Sequence, residues 1–229
     1  MTVRKGWTLI VAMTASALLS AAATRAVAAA HPWRELLRDH SAPDWRGWKS
    51  PGLPAGWRVE GGVLSKEGRA DDLVTNDSFK DFELALEWKI GKGGNSGIFY
   101  RAARDYDHIY WSGPEYQILD DANAPDGKNR LTSAAAAYGL YGAPPEVVLA
   151  FGQWNETRIL VQGTHVEHWL NGRKVVEYEL NSPDWRSKVA SSKFSAYPKY
   201  GTSAAGMIGI QGDHAGALAI RRLRIRELP

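Results

Sequence analysis

Arg101, Glu115 and Gln117 are the first residues of this sequence whose types and spacing offer chemistry. In residues 95–101, Ile98 and Tyr100 take the apolar phase of an alternating strand, so Gly97, Phe99 and Arg101 face the opposite way. In residues 115–120, Tyr116 and Ile118 take the apolar phase, and Glu115 and Gln117 fall on the other face. If these strands are neighbours, Arg101, Glu115 and Gln117 converge in one cleft and Gly97 leaves room for a ligand. A carboxylate, a guanidinium and a carboxamide in one cleft can move a proton and hold a polar ligand. The plainer account of the same pattern is an outer polar face with a solvated Glu–Arg pair, which would contribute little.

Histidine is sparse, with His31, His40, His108, His165, His168 and His214 making up the whole set. No pair has the spacing of a helical zinc motif, and there is no cysteine to complete one. A divalent metal would have to be assembled from distant strands, with Glu115, Asp120, His168 and His214 as the candidate ligands. His168 is in phase with Val166 and Leu170, which suits a hydrogen-bonded core histidine as well as a catalytic one. His214 follows Asp213 just past a strand end, a placement that fits an oriented imidazole or an ordinary Asp-containing turn. A phosphate-binding glycine loop, a dinucleotide fingerprint and a G-x-S-x-G elbow are all missing. Residues 91–94 are glycine-rich but precede a strand, not a helix, and so form a turn.

The elements that must position these residues are strands. Short alternating runs punctuated by Gly, Pro, Asn and Asp predict an all-β antiparallel sandwich or barrel. The clearest strand is 81–90, with Phe82, Leu84, Leu86, Trp88 and Ile90 on one face and Glu83, Ala85, Glu87 and Lys89 on the other. Further strands are predicted at 95–101, 115–119, 156–161, 165–170, 174–180, 207–211 and 217–227. Asn171-Gly172 marks a hairpin. In the last strand Leu218 and Ile220 share one phase and Leu223 and Ile225 the other, so a bulge is expected at Arg221-Arg222. Helix is scarce. Residues 131–138 allow a turn or two, and 121–145 read mainly as a long loop, of the kind that often carries function.

Arg4 and Lys5, an apolar run from Trp7 to Ala23 and small residues up to Ala30 have the layout of a cleaved export signal over 1–30. Arg25 leaves that run short for a membrane span, so no stable anchor is expected after cleavage, and the lack of cysteine excludes a lipid anchor and disulfides. The expected location is periplasmic or secreted. Loss of Arg4, Lys5 and Arg25 leaves 25 basic against 25 acidic residues, so the basic character of the full chain is partly a property of its leader. A near-neutral chain without a basic block argues against nucleic acid as a partner. Residues 31–229 suffice for a single domain with a substantial core and hold nine of the ten tryptophans. Tryptophan fills sandwich cores and also stacks on sugar rings.

The motifs Phe82-Glu83-Leu84, Glu87-Trp88-Lys89-Ile90 and Gly94-Asn95-Ser96-Gly97-Ile98-Phe99-Tyr100-Arg101 follow one another early in the mature chain. Next come Gly113-Pro114-Glu115-Tyr116-Gln117-Ile118-Leu119-Asp120-Asp121, Gly152-Gln153-Trp154-Asn155 and His168-Trp169-Leu170-Asn171-Gly172. Ser192-Lys193-Phe194 and Gly209-Ile210-Gln211-Gly212-Asp213-His214 close the series. In this order, over residues 40–228, the chain resembles the 3-keto-disaccharide hydrolase family. Near His214 many relatives read Gln-Asp-His-Gly, whereas this chain has Gln211-Gly212-Asp213-His214-Ala215.

The resemblance implies a concanavalin A-like jelly roll and cleavage of glycosides oxidised to a ketone at C3. Such a ketone acidifies the C2 proton; a base removes it, the enolate expels the C1 substituent, and water adds to the product. This needs a base matched to the working pH and fixed donors at the ketone oxygen. It does not need the paired carboxylates of ordinary glycosidases. In this light Glu115 and His168 are alternative bases, and Arg101 and Lys193 hold the enolate oxygen, with a divalent metal as an additional candidate. Asn95, Gln117, Asp120 and His214 are expected to bind substrate, and Trp111 or Trp169 to stack on the ring. The main rival is a carbohydrate-binding module of the same fold without turnover, and an envelope structural protein comes third; fold alone does not separate them.

Overall fold

The computed structural model describes residues 31–229; the expected export signal lies outside the described residues. The strands in chain order are β1 (Arg34–Glu35), β2 (Trp45–Gly47), β3 (Trp57–Glu60), β4 (Val63–Lys66), β5 (Leu73–Thr75), β6 (Phe82–Ile90) and β7 (Asn95–Ala102). They continue as β8 (Glu115–Leu119), β9 (Asn155–Gln162), β10 (His165–Leu170), β11 (Arg173–Glu179), β12 (Met207–Ile210) and β13 (Leu218–Glu227). The larger sheet runs β11-β10-β9-β6-β13-β4-β3, with β1 also paired to β13; the smaller runs β2-β5-β12-β7-β8. All pairings are antiparallel. This is the jelly-roll sandwich of the concanavalin type.

Alternation explains the layering. Phe82, Leu84, Leu86, Trp88 and Ile90 of β6 are all buried between the sheets. From the smaller sheet Ile98, Tyr100, Tyr116, Ile118, Ile208 and Ile210 meet them in the same core. On the outer face of β6, Glu83 pairs with Arg158 and Arg226, and Glu87 with Arg221 and Arg222. The outer face of the smaller sheet carries a second apolar cluster of Val74, Phe99, Ala102, Ile109 and Met207. Asn171 and Gly172 both take positive φ, at 51° and 78°, as a two-residue hairpin turn requires. The β13 register shifts between Arg221 and Arg224, with Arg222 at φ 50°, which is the expected bulge.

Three features depart from the sequence reading. The five strands before residue 81 are two to four residues long, too short for alternation to show. A helix, α1 (Pro183–Ala190), follows β11; Ser182 caps it by accepting from the Trp185 amide, Pro183 opens it, and Asp184 pairs with Lys188. Only Trp185 of this helix is buried, so it leaves no apolar periodicity to read. Residues 131–138 form no helical turns beyond a 3₁₀ turn at Arg130–Thr132; the segment then runs along the free edge of β8. There the Ala135 amide donates to the Gln117 carbonyl, Gln117 to Ala136, and Tyr138 to Glu115. The long loop thus completes the sheet edge and is held rigidly beside Glu115.

His168 projects from β10 into the core between the sheets and is fully buried. Its Nδ1 lies 2.9 Å from the Ala135 carbonyl and its Nε2 3.0 Å from the Tyr100 hydroxyl. The carbonyl can only accept, which assigns the proton to Nδ1 of a neutral ring. Burial pushes the imidazole from its usual 6.5 down to about 4. The unfolded chain therefore takes up a proton at a higher pH than the folded one. Stability is whole above pH 6.5 and falls as pH drops from 6.5 towards 4, by about 3 kcal/mol from this group. Urea unfolding at pH 7 and pH 4 tests this. The acid loss should shrink by that amount in a folded His168→Gln variant, and an unchanged loss would assign it to other groups.

Candidate active site

The register Gly97↔Gln117 and Phe99↔Glu115 makes β7 and β8 neighbours and puts Glu115 on the outer face of the smaller sheet. The Glu115 carboxyl lies over Gly97, so closely that a Cβ built there would fall 2.1 Å from Glu115 Oε1. The room expected for a ligand above Gly97 is therefore filled by Glu115 itself. Gly97→Ala should displace the carboxyl while the backbone, which is not in a glycine-only conformation, tolerates the methyl. The expected result is at least a tenfold loss of turnover with a Tm change of only a few degrees. A fully active Gly97→Ala enzyme would show that this placement of the carboxyl does not matter.

Glu115 opens into a cavity of about 200 Å³. β7 contributes Asn95, and the 3₁₀ turns Ile109–Trp111 and Lys193–Ala196 contribute Tyr110 and Lys193. The long loop contributes Asp126 and Tyr138, and the segment after β12 adds Gln211, Asp213 and His214. Asn95 donates to Asp126 at 3.3 Å and accepts from Gln117 Nε2 at 3.4 Å, which fixes its amide. Lys193 Nζ sits 4.3 Å from the centre of the Tyr138 ring. Gln211 Oε1 is buried without a hydrogen-bond partner among the described residues, so it can accept from a ligand hydroxyl.

A buried lysine and a half-buried aspartate hold the segment that carries His214. Lys66, at 1% exposure, donates to the carbonyls of Gly68, His214 and Gly216. Asp72 accepts from the Gly212 amide at 2.8 Å. Burial raises Asp72 to about 6 against the pull of the Gly212 amide, with Asp213 and Asp71 adding repulsion. A Cβ on Gly212 would fall 2.5 Å from the Asp71 carbonyl, so the extra glycine of this chain fits where a larger residue would collide.

Burial raises Glu115 from 4.5 to about 8; the Lys193 ammonium pulls the other way, and Asp72, Asp213 and Asp126 add repulsion. A carboxyl at that value, with a lysine beside it, can exchange a proton with a weak carbon acid near neutral pH. The cavity thus joins a carboxyl of raised pKa, a lysine ammonium, carboxamides and an aromatic wall.

Comparison with known proteins places the whole fold in a family. The model of the family described as 3-keto-alpha-glucoside-1,2-lyase-like domain matches residues 32–226. The chain belongs to that family. A relative, the 3-keto-disaccharide hydrolase of Bacteroides thetaiotaomicron, is 36% identical over 216 residues, covering 80% of this chain and 74% of its own. A Parabacteroides distasonis crystal structure, provisionally assigned as a glycosyl hydrolase, superposes with a TM-score of 0.79 at 30% identity, covering 86% of this chain and 94% of the other. The laminarinase of Rhodothermus marinus, at 12% identity and a TM-score of 0.55 over 87% and 97% of the chains, shares the fold alone.

Within this member of the 3-keto-alpha-glucoside-1,2-lyase-like family, Asn95, Glu115, Lys193 and His214 come together as the sequence predicts. Gln117 lies beneath them, fully buried, and acts through Asn95. Arg101 does not join them. Phe99 pairs with Gly209 and Ala102 with Met207, so Tyr100 and Arg101 share one partner position. This bulge, with Arg101 at φ 52°, breaks the alternation and sends the guanidinium to Asp81 and the Lys80 carbonyl. His168 faces the core, as described, and Trp169 lies on the outer face of the far sheet under Arg158. Trp111 stacks on Tyr197 while its neighbour Tyr110 lines the cavity. Asp120 accepts from the Gly93 amide and Asn123, closing the turn between β6 and β7.

The expected metal set of Glu115, Asp120, His168 and His214 is therefore not assembled. Among the described residues, His165, Glu167 and Glu177 form the one close grouping of that kind, on the far sheet, and Lys174 already pairs with both glutamates. A larger hollow, about 770 Å³ beside Arg34, Arg38, Arg221 and Arg222, lies away from Glu115, and those guanidiniums are paired with Asp77, Asp44 and Glu87.

Tyr110, Asp126, Tyr138, Gln211 and Asp213 of the cavity wall were not among the predicted site residues. Asp126 and Tyr138 belong to the loop whose length marked it as functional, and Gln211 and Asp213 to a family motif. Lys66 and Asp72 carry no sequence signal, because their role depends on contacts with residues about 140 positions away.

Proposed function

We propose that residues 31–229 form one catalytic domain that cleaves 3-keto-glycosides by elimination and hydration. Family membership and the named relative support a carbohydrate-active hydrolase. The observation that carries the finer reading is Glu115, a carboxyl raised to about 8 beside Lys193 in a cavity suited to a single sugar ring. Ionised Glu115 takes the C2 proton, and the electron pair moves onto the C3 oxygen as an enolate held by Lys193. The pair returns to form the C1–C2 double bond as the C1–O bond breaks, and Glu115 passes the proton it has taken to the departing oxygen, with His214 binding the substrate. Water then adds its oxygen to C1 and a proton returns to C2. The sum is glycoside plus water giving 3-keto-sugar plus alcohol. Asn95 and Gln211 bind ring hydroxyls, and Tyr138 forms one wall.

Charged groups converging on the cavity favour an enzyme over a binding module, which would line its cleft with aromatics and amides. The test is to incubate the protein with methyl 3-keto-glucoside, with and without chelator, and follow release of methanol and 3-keto-glucose. Binding without release would return the reading to a binding module, and loss of release with chelator would add a metal to it. We propose also that residues 1–30 direct export and are removed. Mass spectrometry of the exported protein should show a chain beginning near His31, and a retained leader in the native protein would refute this.

A further inference from the structure

A second hollow, of about 500 Å³, adjoins the site: Tyr138 and Lys193 line both. We propose that it receives the leaving group of the substrate and selects an apolar, ring-bearing aglycone over a second sugar. This rests on the reading that the Glu115 cavity holds the oxidised ring. The new hollow is walled by Leu131, Tyr138, Leu140 and Phe194. Leu131 is 40% exposed, a large apolar side chain left open to water at the rim, while Leu140 and Phe194 are buried.

Of the polar side chains around the hollow, Asn129, Thr132, Ser192 and Lys188 are already engaged, which leaves Ser191 and the Lys193 ammonium. Asn129 Oδ1 accepts from the Leu131 amide at 3.0 Å, and Thr132 Oγ1 donates to the Asp126 carbonyl at 2.6 Å. Ser192 Oγ donates to the Val189 carbonyl and accepts from the Phe194 amide. Lys188 pairs with Asp184 at 2.9 Å and lies over the Tyr141 ring. A sugar entering here would give up water from its hydroxyls and find few replacements, which is costly. A hydrocarbon ring loses nothing by the same step and covers Leu131 and the Tyr138 edge. Lys193 and Tyr138, stacked at the boundary, set where the oxidised ring ends and the aglycone begins.

The test uses methyl, benzyl and 6-linked glucosyl 3-keto-glucosides, each as both anomers. All three release a primary alcohol, so differences in rate report binding and not leaving ability. The expected result is a kcat/KM for the benzyl compound roughly tenfold or more above the methyl one, the scale on which an apolar pocket discriminates, with the glucosyl compound no better than methyl. Leu131→Asp should bring the benzyl-to-methyl ratio close to one. A ratio near one in the parent, a ratio that survives Leu131→Asp, or preference for the glucosyl compound would each overturn the proposal. If none of the three is turned over, the functional reading fails by itself, and calorimetric affinities for the same compounds still decide this one. Tighter binding of the benzyl compound that depends on Leu131 supports the subsite, and equal binding refutes it.

Discussion

Glu115→Gln is expected to lower kcat/KM on a 3-keto-glucoside by at least 10²-fold and up to about 10⁴-fold, the range that a general base contributes. The amide keeps the shape above Gly97 and removes the proton acceptor. The parent enzyme should carry the signature of the same group. Its rate should rise about tenfold per pH unit below 8 and level off above, because Glu115 works as the carboxylate and burial holds it protonated up to about 8. Stability should run the opposite way. The folded state binds this proton more tightly than the unfolded state, so the contribution is whole below pH 4.5 and is lost as pH rises through about 8. Glu115→Gln has no charge to bury and should be the more stable protein at pH 8 and above, as measured by urea unfolding. A folded Glu115→Gln variant with near-full activity would place the base elsewhere in the cavity. His168→Gln, by contrast, should retain most of its activity if it folds, since that ring faces the core.

Trp88→Ala should cost about 3–5 kcal/mol, the range for deleting a fully buried large aromatic. Trp88 is completely buried in β6, which lies between β9 and β13. Its indole donates to Thr157 Oγ1 at 2.9 Å, and that oxygen is also bonded to the Tyr116 hydroxyl at 2.8 Å. The substitution therefore removes packing from both layers and leaves a buried hydroxyl short of a partner. Tyr116 belongs to β8, the strand that carries Glu115, so the loss should reach the site as well as the core. A fall in Tm on the order of 10 °C is expected for a domain of this size. Trp88→Phe, which keeps the ring and loses the donor, should fall between Trp88→Ala and the parent. A cost for Trp88→Ala below about 1 kcal/mol, the level of surface substitutions, would contradict the burial of this face.

Both positions were legible in the sequence for one reason. Within a regular strand the period of two is exact, so the apolar set Phe82 to Ile90 named its buried face, and Tyr116 and Ile118 placed Glu115 and Gln117 on the other. The same inference failed at Arg101, because a bulge adds one residue to one strand and alternation restarts out of phase beyond it. At β13 the apolar phases themselves revealed the bulge. At Arg101 no apolar residue marked the switch.

The sequence by itself determined the strands of the sandwich core from residue 81 on, the hairpin at Asn171-Gly172, the family and the grouping of Asn95, Glu115, Lys193 and His214, which the structure places around one cavity. These follow from local periodicity, turn chemistry and motif order. The tertiary structure alone decided which residues face one another across the cavity. It turned His168 into the core, where desolvation keeps it neutral, and gathered Asp72, Asp126 and Asp213 around the site. Burial first, and those carboxylates next, raise Glu115 towards 8. A carboxyl's pKa is set by the water it loses and the charges it meets, and both come from residues remote in sequence that only folding brings together.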